Sequence, residues 1–337
     1  VATHHEAVRV HHLEIPLVAP FATASGVVMS RSIALVRVGS SAPYGWGEAA
    51  PYPGQDEAFG KMLDIVRQGG TTPAFAAALT MAIADRDARL DEAWLGDSIG
   101  ATAGLLTVGL AVGFDSPVAA VVKAVERGVG RFKLKIAPGN LEYVTEVRRR
   151  FPEVVIGVDA NGSFGSATVG QLEALSGLGL AYVEQPVRDM YSEVCRVARR
   201  AVDTVVFADE SLRSLDDARR LLECSSVDGL TIKVGRLGWA ESVAVRDLVR
   251  VSGKMWRVSG LIETEIGRAF TNILAACTDP FVSDVAPADW FMRSGVAEIR
   301  DEDGFVTVGG PGIGVVPDPD RLALLEVARF EVTHCSV

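Results

Sequence analysis

From about residue 105 the chain alternates between short apolar or β-branched runs and longer amphipathic segments. The runs are 105–112, 131–136, 154–159, 180–184, 204–209, 229–233, 254–259 and 281–285, one roughly every 25 residues. That interval fits one strand, one helix and two loops, so eight repeats predict a TIM-like (β/α)8 barrel. A doubly wound open sheet is the runner-up, but no glycine-rich phosphate turn follows its first strand. GGPGIG at 309–314 follows a hairpin-like DEDGFVTV and precedes no helix, so it reads as turns.

Upstream, residues 7 to about 50 are patterned as strands, and 56–69 and 73–92 as helices. This β-then-α order predicts a separate α+β capping domain. The expected organisation is a cap over 1–100, a catalytic barrel over 101–302, and a segment over 303–337 that returns to the cap.

The second run, RFKLKI, places Lys133 and Lys135 two residues apart in an apolar setting. A strand alternates its side chains, so both amines leave the same face while Phe132, Leu134 and Ile136 take the other. The ends of the next runs are also charged: Asp159, Glu184, Asp209 and Lys233. From Lys135 the spacings are 24, 25, 25 and 24 residues, so five consecutive strands bring an ionisable group to one barrel level. In this architecture that level is the C-terminal mouth, where chemistry takes place. A single acid at a strand end usually caps a helix or serves a turn, as Asp159-Ala-Asn161-Gly would by itself. Five in register do not fit that explanation.

Three carboxylates converging on one point repel by roughly 3 kcal/mol per pair at about 5 Å and an effective dielectric near 20. Such a nest calls for a cation. Oxygen-only ligands select a hard ion, Mg²⁺ first and Mn²⁺ second. With such an ion and burial beside them, the lysine pKa values are expected to fall, making a neutral amine available as a base. The pattern therefore reads as proton abstraction next to a substrate carboxylate.

Composition narrows the alternatives. The five histidines stand at 4, 5, 11, 12 and 334, so the middle of the chain offers none for a Ser-His-Asp triad or a His-based zinc site. At 337 residues and 48% hydrophobic, the chain can bury a large core. A formal charge of −10 argues against a nucleic-acid partner but permits a local pocket for a small carboxylate. Four scattered cysteines without a C-x-x-C suit a reducing cytoplasm. No apolar stretch is long enough for a membrane span, and VATHHEAVRV does not resemble a signal peptide. The expectation is a cytoplasmic protein with no membrane partner, compatible with a homo-oligomer.

The motifs KLK (133–135), VDANGSF (158–164), YVEQP (182–186), ADES (208–211) and IKVGRLG (232–238) resemble those of the enolase superfamily, in its muconate-lactonising branch. PLVAPFATASG (16–26), YGWGEAAPYP (44–53) and GLIETEIGRA (260–269) extend the resemblance over nearly the whole chain. The resemblance implies Mg²⁺ ligands at Asp159, Glu184 and Asp209, with Lys135 as the base on one face. It implies that Lys233 serves on the opposite face as acid, base or cation for an enediolate. Lys133 would assist the substrate carboxylate, Asn161 would support the metal shell, and Phe21 to Gly26 would close over the substrate. The style is similar to o-succinylbenzoate synthases, which dehydrate a cyclohexadiene carboxylate in menaquinone synthesis, including those that also racemise N-acylamino acids. Two lysines suit N-acylamino acid racemisation, dipeptide epimerisation and muconate cycloisomerisation equally. The chain departs from the family pattern at Trp239, at Glu265 and along SDVAPADW (283–290).

Overall fold

The computed structural model describes residues 7–23, 26–278, 280–298, 301–302 and 304–332. The chain opens with three antiparallel strands, β1 (Val8–Thr23), β2 (Gly26–Val38) and β3 (Gly45–Ala49). Helices α1 (Phe59–Arg67) and α2 (Pro73–Leu90) follow. Thr72 caps α2 by accepting from the Phe75 N–H, and Pro73 opens the first turn, where a missing N–H costs nothing. Glycine at 47 lets α2 lie directly on β3. A Cβ there would stand 2.0 Å from the Ala78 carbonyl oxygen.

Strand β4 (Gly104–Thr107) precedes the parallel sheet. That sheet comprises β5 (Leu110–Val112), β6 (Arg131–Lys135), β7 (Val155–Asp159), β8 (Tyr182–Glu184), β9 (Val205–Ala208), β10 (Gly229–Ile232) and β11 (Met255–Val258), in sequential order. The intervening helices are α3 (Pro117–Glu126), α4 (Glu142–Arg150), α5 (Glu193–Ala201), α6 (Leu215–Glu223), α7 (Val234–Leu237) and α8 (Trp239–Ser252), and α9 (Glu265–Ala275) follows β11. After α9 come β12 (Asp301–Glu302), β13 (Phe305–Val308), α10 (Pro319–Leu325) and β14 (Glu326–Val332). Strand β14 pairs with β1, making the first sheet β14-β1-β2-β3.

Three expectations need refinement. The run at 105–112 is two strands. Its first part pairs antiparallel with β13, and only 110–112 joins the barrel. The third unit carries a 3-10 turn over Val169–Leu175 in place of an α-helix. Its sequence, GSFGSATVGQLEAL, puts Gly165 and Gly170 where a helix would have to nucleate. The eighth run is not a regular strand, because the Val258 N–H is taken by the Ser283 hydroxyl at 3.0 Å.

The eighth run nevertheless closes the barrel. Phe281 and Asp284 donate backbone N–H groups to the Trp256 and Val258 carbonyls at 2.6 and 3.0 Å. On the other side, Ala286 donates to the Gly109 carbonyl at 3.1 Å. Gly109 is needed at this seam, since a Cβ would meet the Ser283 carbonyl oxygen at 2.1 Å.

Candidate metal and proton-transfer site

Register explains how one period per strand reaches one level. Lys135 pairs with Asp159, and Asp159 with Glu184, in one row. Glu184 then pairs with Phe207, two residues short of Asp209, and Phe207 pairs with Gly229, four short of Lys233. The charged positions thus climb by zero, zero, two and two residues. Barrel strands tilt, so a constant height requires such a climb, averaging about one residue per strand at a shear of about eight. Even steps preserve the inward parity of every side chain.

Asp159, Glu184 and Asp209 are fully buried, and each offers a carboxylate oxygen within 4.8 Å of the other two. Lys133 Nζ lies 2.9 Å from Glu184, 3.3 Å from Asp159 and 2.7 Å from Asp284. It also donates to the Ser259 hydroxyl at 3.0 Å. Lys135 donates to Asp159 at 2.6 Å and to Asn161 Oδ1 at 2.9 Å. Lys233 donates to Asp209 at 2.6 Å. Strands β6 and β10 are the second and sixth of eight, so Lys135 and Lys233 reach the mouth from opposite sides.

Several partners escaped the sequence reading. Arg257, in β11, is fully buried and grips Glu184 through Nη1. Its Nη2 donates to Asp284 at 2.6 Å and to the Tyr182 hydroxyl at 2.7 Å. Arg236, in α7, donates to Asp209 Oδ1 at 2.9 Å. Thr231 donates to Glu184 at 3.1 Å. The signal for Arg257 was a lone arginine inside the apolar run KMWRVS. Asp284 lies in the atypical SDVAPADW stretch. Two loop residues hold the ligands from behind. Asn161, with φ +45°, donates its backbone N–H to Asp159 at 2.9 Å. Gln185, with φ +39°, accepts from the Asp209 N–H at 2.9 Å.

These contacts revise the electrostatic expectation. Lys133, Lys135, Lys233, Arg236 and Arg257 already surround the acids, so charge balance by itself does not demand an ion. Burial would lower the Lys133 amine, but Asp284, Glu184 and Asp159 outweigh it and hold the group well above its usual value. Burial is likewise overcome at Lys135 by Asp159, and its pKa is raised rather than lowered. Burial pushes Glu184 up to about 8 against the pull of Lys133 and Arg257, with Asp159 and Asp209 adding to the rise. At Asp159 and Asp209 the adjacent lysines prevail over burial, and both are held below the ordinary carboxylate range.

The convergence of three oxygen donors carries the metal argument. Opposed ligands in an octahedron about Mg²⁺ stand about 4.2 Å apart and adjacent ones about 3 Å. The observed spread fits that shell after a small contraction, and among the described residues no histidine or cysteine joins the three carboxylates, so a hard divalent cation suits them. Such an ion would take up the charge of Asp159, the same charge that holds Lys135 protonated.

The site opens to a cavity lined by Lys133, Lys135, Asn161, Lys233 and Arg268 on the barrel side. Phe21, Tyr52 and Gln55 cover it from the cap. No described helix is long and apolar enough to cross a membrane.

The family described as "Enolase C-terminal domain-like" matches residues 117–321, more than half of the chain. The chain is 30% identical to an o-succinylbenzoate synthase of Geobacillus kaustophilus over 96% of both chains. It is also 30% identical to an N-succinylamino acid racemase of Thermus thermophilus, covering 95% of this chain and 97% of the relative. Its fold matches the crystal structure of a dipeptide epimerase from Cytophaga hutchinsonii complexed with Mg and a dipeptide, with a TM-score of 0.86. That match is 18% identical and covers 97% and 99% of the two chains, so it speaks to the fold alone. The chain belongs to the enolase superfamily, in its mandelate racemase and muconate-lactonising branch, and is an enzyme of that branch.

Proposed function

We propose that the protein removes the proton α to the carboxylate of a small organic acid, and that its main reaction is dehydration of the o-succinylbenzoate synthase type. The observation that carries the chemistry is the buried carboxylate triad with Lys135 and Lys233 approaching from opposite sides. Asp159, Glu184 and Asp209 would hold Mg²⁺, with Mn²⁺ as the alternative. The ion supplies a Lewis acid for the substrate carboxylate and for the charge left when the α-proton departs.

The remaining work falls to the side chains. Lys135, in its neutral form, takes the α-proton onto Nζ. The released electron pair passes into the substrate carboxylate as an enediolate and then returns to form the new carbon–carbon double bond as the β-hydroxyl leaves, the proton on Lys135 accompanying it as water. Lys233 faces the other side of the reacting carbon and offers positive charge to the enediolate. Lys133, fixed between Glu184 and Asp284, directs a cationic group at the substrate carboxylate. Phe21 and Tyr52 exclude water from above.

The relatives support the synthase reading, since several at 25–31% identity bear that name. Racemisation of an N-acylamino acid is the second reading. It is favoured by the placement of Lys233 opposite Lys135, since a dehydration confined to one face needs only one lysine as acid and base.

The purified enzyme with Mg²⁺ should be given succinyl-hydroxycyclohexadiene carboxylate and, separately, N-succinylamino acids in D₂O. Loss of water to an absorbing aromatic product supports the synthase. Deuterium at a retained stereocentre, without that product, establishes the racemase. Neither reaction, and no exchange into other α-carbon acids, would refute the proposal.

A further inference from the structure

A chain of charged contacts runs from the cap to the carboxylate triad. Asp56 lies between β3 and α1, just after Gln55 and four residues after Tyr52, which cover the active-site cavity. Its Oδ2 accepts from the Tyr52 N–H at 2.9 Å and so fixes this turn. Its Oδ1 faces two arginines of the barrel. Arg213, in the loop after β9, donates Nη1 to Asp56 at 3.2 Å and Nη2 to the Gln55 carbonyl at 2.7 Å. Arg236, in α7, brings its Nε to 3.6 Å from the same carboxylate oxygen.

The two arginines differ in what lies behind them. Arg213 is half-exposed at the rim, whereas Arg236 is buried and its Nη1 donates to Asp209, to Oδ1 at 2.9 Å and to the carbonyl at 3.1 Å. The other oxygen of Asp209 accepts from Lys233 at 2.6 Å. Cations therefore hold both oxygens of this metal-ligand candidate, and an incoming ion competes with them. Asp56, on the far edge of Arg236, offers the guanidinium a second negative partner and eases that competition. Burial keeps solvent from screening the effect.

Arg236 is also poised to move. Its Nε and Nη2 have no hydrogen-bond partner among the described residues. An N–H···O bond spans about 2.9 Å, so Asp56 stands about 0.7 Å short of a full bond to Nε. An ion that takes up the charge of Asp209 releases Arg236 to close this gap. We infer, on the metal reading above, that Asp56 is a positioning residue that couples closure of the cap to occupancy of the metal site through Arg236 and Asp209. Such coupling is reciprocal, so the ion tightens the cap turn and the cap turn strengthens ion binding.

The test is titration of the full chain with Mn²⁺ in the absence of substrate, with free Mn²⁺ read by electron paramagnetic resonance. Asp56→Asn should weaken binding about fivefold or more, and Asp56→Glu, which keeps the charge, should stay within about twofold of the native chain. In an Arg236→Gln background, Asp56→Asn should change affinity less than about twofold, because the relay is already cut. Arg213→Gln loosens the same turn without touching Asp209 and should also leave affinity within about twofold. Hydrogen exchange on the native chain needs no variant: Mn²⁺ should slow exchange over 51–57. Unchanged exchange on Mn²⁺ binding, native affinity in Asp56→Asn, or an equal loss in the Arg236→Gln background overturns the inference and leaves the metal reading standing. No Mn²⁺ binding by the native chain overturns both.

Discussion

Arg31 donates to the Ile262 carbonyl at 3.3 Å and thereby joins the cap to a barrel loop 231 residues away. The guanidinium is 1% exposed, and its other bonds also go to main-chain carbonyls, Pro51 at 3.1 Å and Ala50 at 2.6 Å. Ile262 holds φ +61°, a left-handed conformation that a β-branched residue rarely adopts. Both Ile262 and Tyr52 line the active-site cavity, so this joint sets the relation between lid and floor. Arg31→Met should leave three carbonyls unanswered and cost about 3 kcal/mol of stability in urea unfolding. At a temperature where the variant remains folded, kcat/KM should fall at least tenfold, with Arg31→Lys recovering part of the loss.

The same joint contains Glu48, which accepts from the Thr264 N–H at 3.0 Å and the Gly267 N–H at 2.9 Å. Burial pushes Glu48 up to about 7, with Glu263 adding to the rise. The folded state therefore binds a proton that the unfolded chain, titrating near 4.5, has released. Stability from this group is complete below the unfolded value and is lost as pH rises through about 7, by about 3 kcal/mol in all. Glu48→Gln should gain stability relative to the native chain between pH 5 and 8. Denaturant titrations across that range that show a constant difference would contradict the assignment.

At the barrel seam, Gly109→Ala should force the Ser283 carbonyl away and loosen the contact between the first and eighth strands. A clash of this kind costs about 1–3 kcal/mol. Hydrogen exchange should show faster exchange at Ala286, whose N–H bonds to Gly109, while β7 and β8 keep their protection.

The two lysines should differ in a diagnostic way. Lys135→Ala should lower turnover at least about a thousandfold, consistent with loss of a general base. Lys233→Ala should reduce dehydration less than it reduces racemisation of an N-acylamino acid, because only the latter needs an acid on the second face. Equal loss in both reactions would assign Lys233 to charge stabilisation alone.

How legible this site was in the sequence follows from strand periodicity. Lys135, Asp159 and Glu184 end consecutive strands and Asp209 and Lys233 directly follow the next two, so a regular repeat was enough to bring them together. Arg257 and Asp284 were harder to see. Arg257 lies inside a strand rather than at its end, and Asp284 belongs to a stretch held by only a few backbone bonds. The balance of charge was equally hidden. Lys133 and Lys135 advertise themselves as bases, but their protonation depends on how closely Asp284, Glu184 and Asp159 pack around them. The split at Gly109 was invisible because a run of apolar residues does not reveal that its two halves pair with different sheets.

A hard cation seated among Asp159, Glu184 and Asp209 is central to the proposed chemistry. Crystals grown with Mn²⁺ and measured at the manganese absorption edge locate such an ion directly. One strong anomalous peak about 2.1–2.2 Å from an oxygen of each of the three carboxylates is the predicted result. A peak at another cluster, or no peak at saturating Mn²⁺, would contradict it.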